Sequence, residues 1–224
     1  MIPPTNPASS IAATAEAAVL ATGRLPLSSG LIPVLWVCGP CGVGKTAVGW
    51  EIFSQLDRAG IPVGYVDIDQ LGMCYPAPAD DPHTHQVKVD NVAATVATFR
   101  AAGAQCVVVS GTVDVDKAHT YAGQIPGAAL TLCRLRVGHD DQKMRLAERG
   151  WSSDMLAEAT QEAEALDHSD FADMSIDTSG LPILQVTRLV REQAGGWPAL
   201  TKQTHVSRLA FSDPPRLMIP TTIR

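Results

Sequence analysis

Long apolar runs are missing from this 224-residue chain. No stretch of about eighteen consecutive apolar residues occurs, which argues against a membrane-spanning helix. Aromatic residues make up only 5% and the formal net charge is −6, so the chain has neither the stacking platforms nor the basic field of a nucleic-acid surface. A small-molecule partner is expected instead. The five cysteines are an odd number scattered over apparent strands and loops, which speaks against a disulfide framework and for a reducing cytoplasm. The opening MIPPTNPASS has no basic start and no apolar core, so it does not read as a secretion signal. Nothing in the sequence specifies an oligomeric state.

Hydrophobic residues, at 46%, suffice for a full core. That core is placed in one domain over residues 31–195, after a leader (1–30) with one alanine-rich helix and before a tail (196–224) that carries no motif. The informative stretch is LIPVLWVCGPCGVGKTAVGW, residues 31–50. Gly39 to Thr46 (GPCGVGKT) fill every fixed position of the phosphate-loop pattern G-x-x-x-x-G-K-[ST], between an apolar run (Ile32 to Val37) and a segment with helical spacing (Ala47 to Leu56). Glycines 39, 42 and 44 let the chain turn so that the backbone N–H groups from Cys41 through Val43 to Ala47 face a polyphosphate. Lys45 then reaches the β- and γ-phosphates, and the Thr46 hydroxyl faces Mg²⁺. The same residues also spell CGPC, a redox spacing. The Lys-Thr pair favours the phosphate loop, and a Cys38–Cys41 thiol switch stands as a separate hypothesis.

Further along, VGYVDIDQLG (63–72) reads as a second strand ending in Asp67 and Asp69, two residues apart and therefore on one face. The proline-rich loop 73–86 contains Asp80, Asp81, His83 and His85, but reads as an insertion covering an acceptor rather than a transition-metal site. A helix follows over 90–102, with Asp90 as its cap and Lys88 and Asn91 near its start, read as a solvated face in preference to an acceptor contact. The third strand (105–114) ends in Ser110-Gly111-Thr112 without an acid, which leaves Asp67 as the candidate to hold metal-bound water. After a fourth strand (128–137), Arg145 and Arg149 lie four apart on one face of the helix within DDQKMRLAERG, suited to neutralising a transferring phosphoryl group; Arg134 and Arg136 rank second. Ser152 or Ser153 caps a helix through MLAEATQEAEAL, read as ordinary amphipathic packing. FADMSIDTSGLP (171–182) supplies a fifth strand and a turn containing Thr178 and Gly180 that suits a purine base.

Taken together, the phosphate loop, the DxD strand, the buried strand ending in Ser-Gly, the Arg-x-x-x-Arg-Gly helix and IDTSGL resemble the P-loop small-molecule kinases, in the branch of shikimate, gluconate, adenylylsulfate and chloramphenicol kinases. The resemblance implies a three-layer α/β fold of the P-loop NTPases, with a five-stranded parallel sheet in the nucleoside-monophosphate-kinase arrangement and a lid near 145–153. It also implies ATP and Mg²⁺ at Lys45 and Thr46, an acceptor hydroxyl oriented or deprotonated by Asp67 or Asp69, lid action by Arg145 and Arg149, and adenine beside Thr178 to Leu181. The alternative is a nucleotide-binding regulatory module or slow NTPase acting through a protein partner.

Overall fold

The computed structural model describes residues 30–198, so the expected leader helix and most of the tail lie outside the described residues. Five parallel strands form one sheet in the order β2-β3-β1-β4-β5: β1 Ile32–Cys38, β2 Val63–Asp67, β3 Cys106–Ser110, β4 Ala128–Arg136 and β5 Met174–Asp177. The five-stranded parallel expectation holds. The unbroken apolar run of β1 has a simple cause: a central parallel strand is covered on both faces.

Alternate residues of β1 feed two cores. Leu35 and Val37 face helix α1 (Lys45–Arg58) through Val48, Ile52 and Leu56, and the same core takes in Val186 and Val190 of helix α7 (Ile183–Gln193) together with Trp197. Val34, Trp36 and Cys38 face the opposite layer, where helix α3 (His85–Ala101) contributes Val89, Val92 and Val96. There Trp36 stacks on Tyr121 at 5.2 Å between ring centroids. Tyr121 opens the short helix α4 (Tyr121–Gln124), and its hydroxyl accepts from the Asp114 N–H at 2.9 Å, so the buried ring also fixes the loop after β3.

Helices α5 (His139–Glu148) and α6 (Ser153–Asp167) follow β4, and the segment expected as a lid, near 145–153, covers the end of α5 and the turn into α6, with Ser152 capping α6 by accepting from the Met155 N–H. Arg149 lies just past the end of α5 rather than within it.

The start of α3 differs from the sequence reading. It begins at His85, not Asp90, because the Asp81 carboxylate accepts the backbone N–H groups of His85, Gln86 and Val87 at 2.8 to 3.1 Å. Those are orphan donors of a first turn. Burial raises the Asp81 pKa, but the three N–H bonds outweigh it and hold the carboxyl below its ordinary value. The stabilisation is therefore present above the unfolded-state pKa and is lost as the pH falls through the folded one. Asp81→Ala should lower stability by about 1–2 kcal/mol, as for other lost N-terminal caps, in a urea titration at neutral pH.

Candidate active site

The loop Gly39 to Thr46 leaves β1 at the centre of the sheet, where the strand order reverses and ligands of open α/β sheets bind. Gly39, Gly42 and Gly44 take φ of 138°, 82° and 102°, the left-handed region that glycine tolerates. A side chain at Gly39 would run into the Leu135 carbonyl, and one at Gly42 would press on Leu146 of α5 at 3.0 Å. Helix α1 starts with no side-chain cap and no acid in its first turn, so its positive end stays available to an anion. Lys45 is buried within the loop and donates to the Pro40 carbonyl at 3.2 Å.

The carboxylate that the end of β3 lacks arrives from the neighbouring strand. Asp67 and Ser110 are register partners, and Ser110 also lies opposite Val37, so the ends of β2, β3 and β1 stand level. Asp67 Oδ2 accepts from the Thr46 hydroxyl at 2.8 Å and from the Ser110 hydroxyl at 3.2 Å, while Ser110 Oγ and the Tyr65 hydroxyl share a bond of 2.8 Å.

Asp69 corrects the shared-face expectation. The strand ends at Asp67, and Asp69 belongs to a one-turn helix α2 (Ile68–Leu71) whose start Asp67 caps through the Asp69 N–H at 3.1 Å. The two carboxylates consequently serve different neighbours. Asp69 accepts from the Thr112 hydroxyl at 2.8 Å and its N–H at 3.1 Å, and pairs with Lys88 at 3.6 Å. Burial raises its pKa, but the Thr112 bonds and the Lys45 and Lys88 charges win and leave it below its ordinary value. Lys88, read from sequence as solvated, has a side chain only 13% exposed.

Beside Lys88 and Thr112 opens a cavity of about 390 Å³, bounded by His83, His85, Asp114 and Glu162. That size suits a small ligand. Glu162 is the residue sequence reading missed. It lies on α6, far along the chain, yet its Oε2 accepts the Cys41 N–H at 3.4 Å. The other side of that peptide is held too, since Gln142 of α5 donates to the Cys41 carbonyl at 2.8 Å. Both α5 and α6 thus grip the tip of the phosphate loop.

Three other sequence candidates are placed differently. Arg134 is buried against Asp167, which also pairs with Arg136 at 3.3 Å, so these arginines serve α6 rather than the loop. Cys38 is buried and donates to the Cys133 carbonyl, and burial pushes its thiol up to about 12, a poor starting point for disulfide exchange. Thr178 is buried, its hydroxyl and N–H both donating to the Arg136 carbonyl at 2.9 and 2.8 Å, while Gly180 is exposed in the same turn with φ 66°. Arg145 is half-buried on α5 and Arg149 is exposed beyond it. Among the described residues, no group of three His, Cys, Asp or Glu side chains is placed to hold a metal ion, and no helix is long and apolar enough to cross a membrane.

No protein-family model matches the sequence, and no curated protein matches it. Solved structures do. The tunicamycin resistance protein of Deinococcus radiodurans matches over 73% of this chain and 96% of its own, with TM-score 0.57 and 20% identity. An unliganded sugar kinase from Janibacter sp. HTCC2649 matches over 77% and 99%, with TM-score 0.52 and 16% identity. The shikimate kinase of Bacteroides thetaiotaomicron matches over 74% and 99%, with TM-score 0.50 and 16% identity. The fold is that of the P-loop small-molecule kinases. Within the P-loop kinase fold, the end of β1 and the first turn of α1 form the phosphate loop, and the cavity lies beside it under α6.

Proposed function

We propose that this protein is an ATP-dependent kinase that phosphorylates a hydroxyl of a small molecule bound in the cavity beside Asp69. The observation that carries the reading is the meeting of Thr46 and Asp67 at 2.8 Å at the start of the loop helix, next to a cavity of substrate size. A hydroxyl and a carboxylate at that spacing are hard oxygen donors, which fit Mg²⁺ held mostly by phosphates and water. In this reading Thr46 and Asp67 are the residues that would hold the ion. The bound ion would neutralise charge on the β- and γ-phosphates.

The remaining roles fall to this chain's own groups. Backbone N–H groups from Gly42, Val43, Gly44 and Ala47, together with those of Lys45 and Thr46, cradle the phosphates, and the bend at Gly39 permits it; the Cys41 N–H, which here donates to Glu162, joins them by exchanging that carboxylate for a phosphate oxygen. Asp69 accepts a hydrogen bond from the acceptor hydroxyl and aims its oxygen at the γ-phosphorus. That oxygen forms the new P–O bond while the bond to the β–γ bridging oxygen breaks. ADP leaves with the electron pair, and the hydroxyl proton passes to a carboxylate or to water. A carboxylate with a lowered pKa is a weak base, which suffices because a loose phosphoryl-transfer transition state asks mainly for positioning and charge neutralisation. Arg145 and Arg149 neutralise the equatorial oxygens from the lid. The turn at Thr178 and Gly180 flanks adenine through its backbone shape, because the Thr178 hydroxyl is already committed to the Arg136 carbonyl.

Calorimetry with ATP and Mg²⁺, followed by ATP turnover with a pool of small hydroxyl compounds, tests this. Heat of binding and turnover that rises with one of the compounds is the expected result. Binding without any such response would point to a regulatory nucleotide-binding module, and no binding of ATP or GTP would end the reading.

A further inference from the structure

The cavity carries a charge pattern that restricts what can enter it. Among its lining residues, the single amine is Lys88, and that amine already faces Asp69 at 3.6 Å and the Thr112 hydroxyl at 3.2 Å. No arginine lines it. Desolvation, with Lys88 and His83 nearby, lowers the His85 pKa, so that imidazole is neutral at neutral pH. Two carboxylates face the same space. Asp114 has Lys117 at 3.6 Å, whereas Glu162 has no cationic partner among the described residues and is held by the Cys41 N–H and thiol. Part of the wall is apolar, from Val113, Val115, Ala165 and Leu166.

An acceptor bearing a carboxylate, phosphate or sulfate would lose its hydration here and meet two negative groups against one amine already shared. Desolvating an anion without a partner is costly. A hydroxyl, amide or ammonium donor would instead find acceptors on the walls.

We infer that the acceptor is an uncharged or cationic hydroxyl compound and that Glu162 is a specificity-determining residue, accepting a hydrogen bond from a donor group of that compound and turning away acidic ones. The inference rests on the kinase reading and deepens it. Glu162 bridges the two halves of the site: its carboxylate touches the phosphate loop at Cys41 while the same side chain borders the cavity. An acceptor seated against it therefore lies next to the transferring group.

The test uses a metabolite extract separated by ion exchange into acidic, uncharged and basic fractions. Each is incubated with the full chain, Mg²⁺ and γ-labelled ATP, and label is followed into products. The expected result is label transferred from the uncharged or basic fraction at more than about tenfold the yield of the acidic one. Label drawn chiefly from the acidic fraction overturns the inference and leaves the kinase reading intact. ATP binding with no label from any fraction removes both. With the labelled acceptor purified, Glu162→Gln should raise its KM by about tenfold, as for a lost hydrogen bond to a charged group, with kcat within about threefold and the KM for ATP not raised. Glu162→Lys should shift labelling toward the acidic fraction. An unchanged acceptor KM in Glu162→Gln, with the variant melting as the parent does, removes Glu162 from the role.

Discussion

Lys45→Ala should lower phosphoryl transfer by about a thousandfold while the protein stays folded, the scale of losing one preorganised donor aimed at developing charge. The side chain is buried inside the loop, and its ammonium rests on the Pro40 carbonyl. Its charge is felt in two directions, lowering the pKa of Asp69 on the acceptor side and opposing the rise at Cys41 in the loop. On the kinase reading proposed above, a cation so placed would lie between the phosphates and the hydroxyl that attacks them, where charge develops in the transition state. Removing it takes away one internal bond and leaves both cores untouched, since neither contains Lys45. A thermal melt within a few degrees of the parent, paired with turnover down by three orders, is the expected signature. A variant within tenfold of the parent would show that the phosphates are held elsewhere.

The part of this site legible in the sequence is the part built from neighbours in the chain. Gly39 to Thr46 follow one another, and each takes its meaning from the strand before and the helix after, so the motif sufficed. Asp67 was legible for a similar reason, as the last residue of a short strand. Its hydrogen bond with Thr46 was not read from the sequence and comes from topology, through a β2–β3 register that sets Asp67 opposite Ser110. Asp69 was assigned to the right neighbourhood by the wrong argument: period-two alternation assumes that the strand continues, and here a helix begins at Ile68.

Glu162 was illegible for a physical reason. Along QEAEAL a glutamate is what any amphipathic helix places toward water, and only the packing of α6 over the loop brings this one to the Cys41 N–H, 121 residues away in sequence. The same applies to Lys88. Helix α3 was expected to begin at Asp90, which left Lys88 outside it, because HTHQVK has little apolar period. The capping carboxylate, Asp81, stands four residues before the first helical residue, beyond the reach of the usual signature. Once Asp81 holds the first turn, Lys88 lies inside the helix and turns toward Asp69.

Asp167→Ala should destabilise the protein by about 3 kcal/mol at neutral pH, the lower end of the cost of stripping one partner from a buried ion pair. One carboxylate at the end of α6 ties that helix to two other elements: Arg134 and Arg136 of β4, and His139 at the first residue of α5, whose Nε2 lies 3.3 Å away. Arg134 carries the cost, with a side chain 7% exposed and an Nε that has no hydrogen-bond partner among the described residues. Without Asp167 its guanidinium is a buried cation with no carboxylate opposite it among the described residues. For a chain of this size the loss corresponds to roughly 10 °C in melting temperature. Asp167→Asn should lose less, because the amide oxygen still accepts a bond. The pH dependence gives an independent check. Burial raises the Asp167 pKa, but the Arg134 bond and charge, followed by His139 and Arg136, hold it below the ordinary carboxylate value. Its contribution is complete above the unfolded-state pKa and disappears as the pH falls through the folded one, so the gap between parent and Asp167→Ala should be widest near neutrality and narrow in acid. Melting within about 2 °C of the parent at neutral pH would contradict the assignment. A functional consequence follows from position, because α6 also carries Glu162: a helix released at Asp167 holds that carboxylate less firmly over the cavity. The acceptor KM in Asp167→Ala should therefore rise in the same direction as in Glu162→Gln, with the KM for ATP little changed.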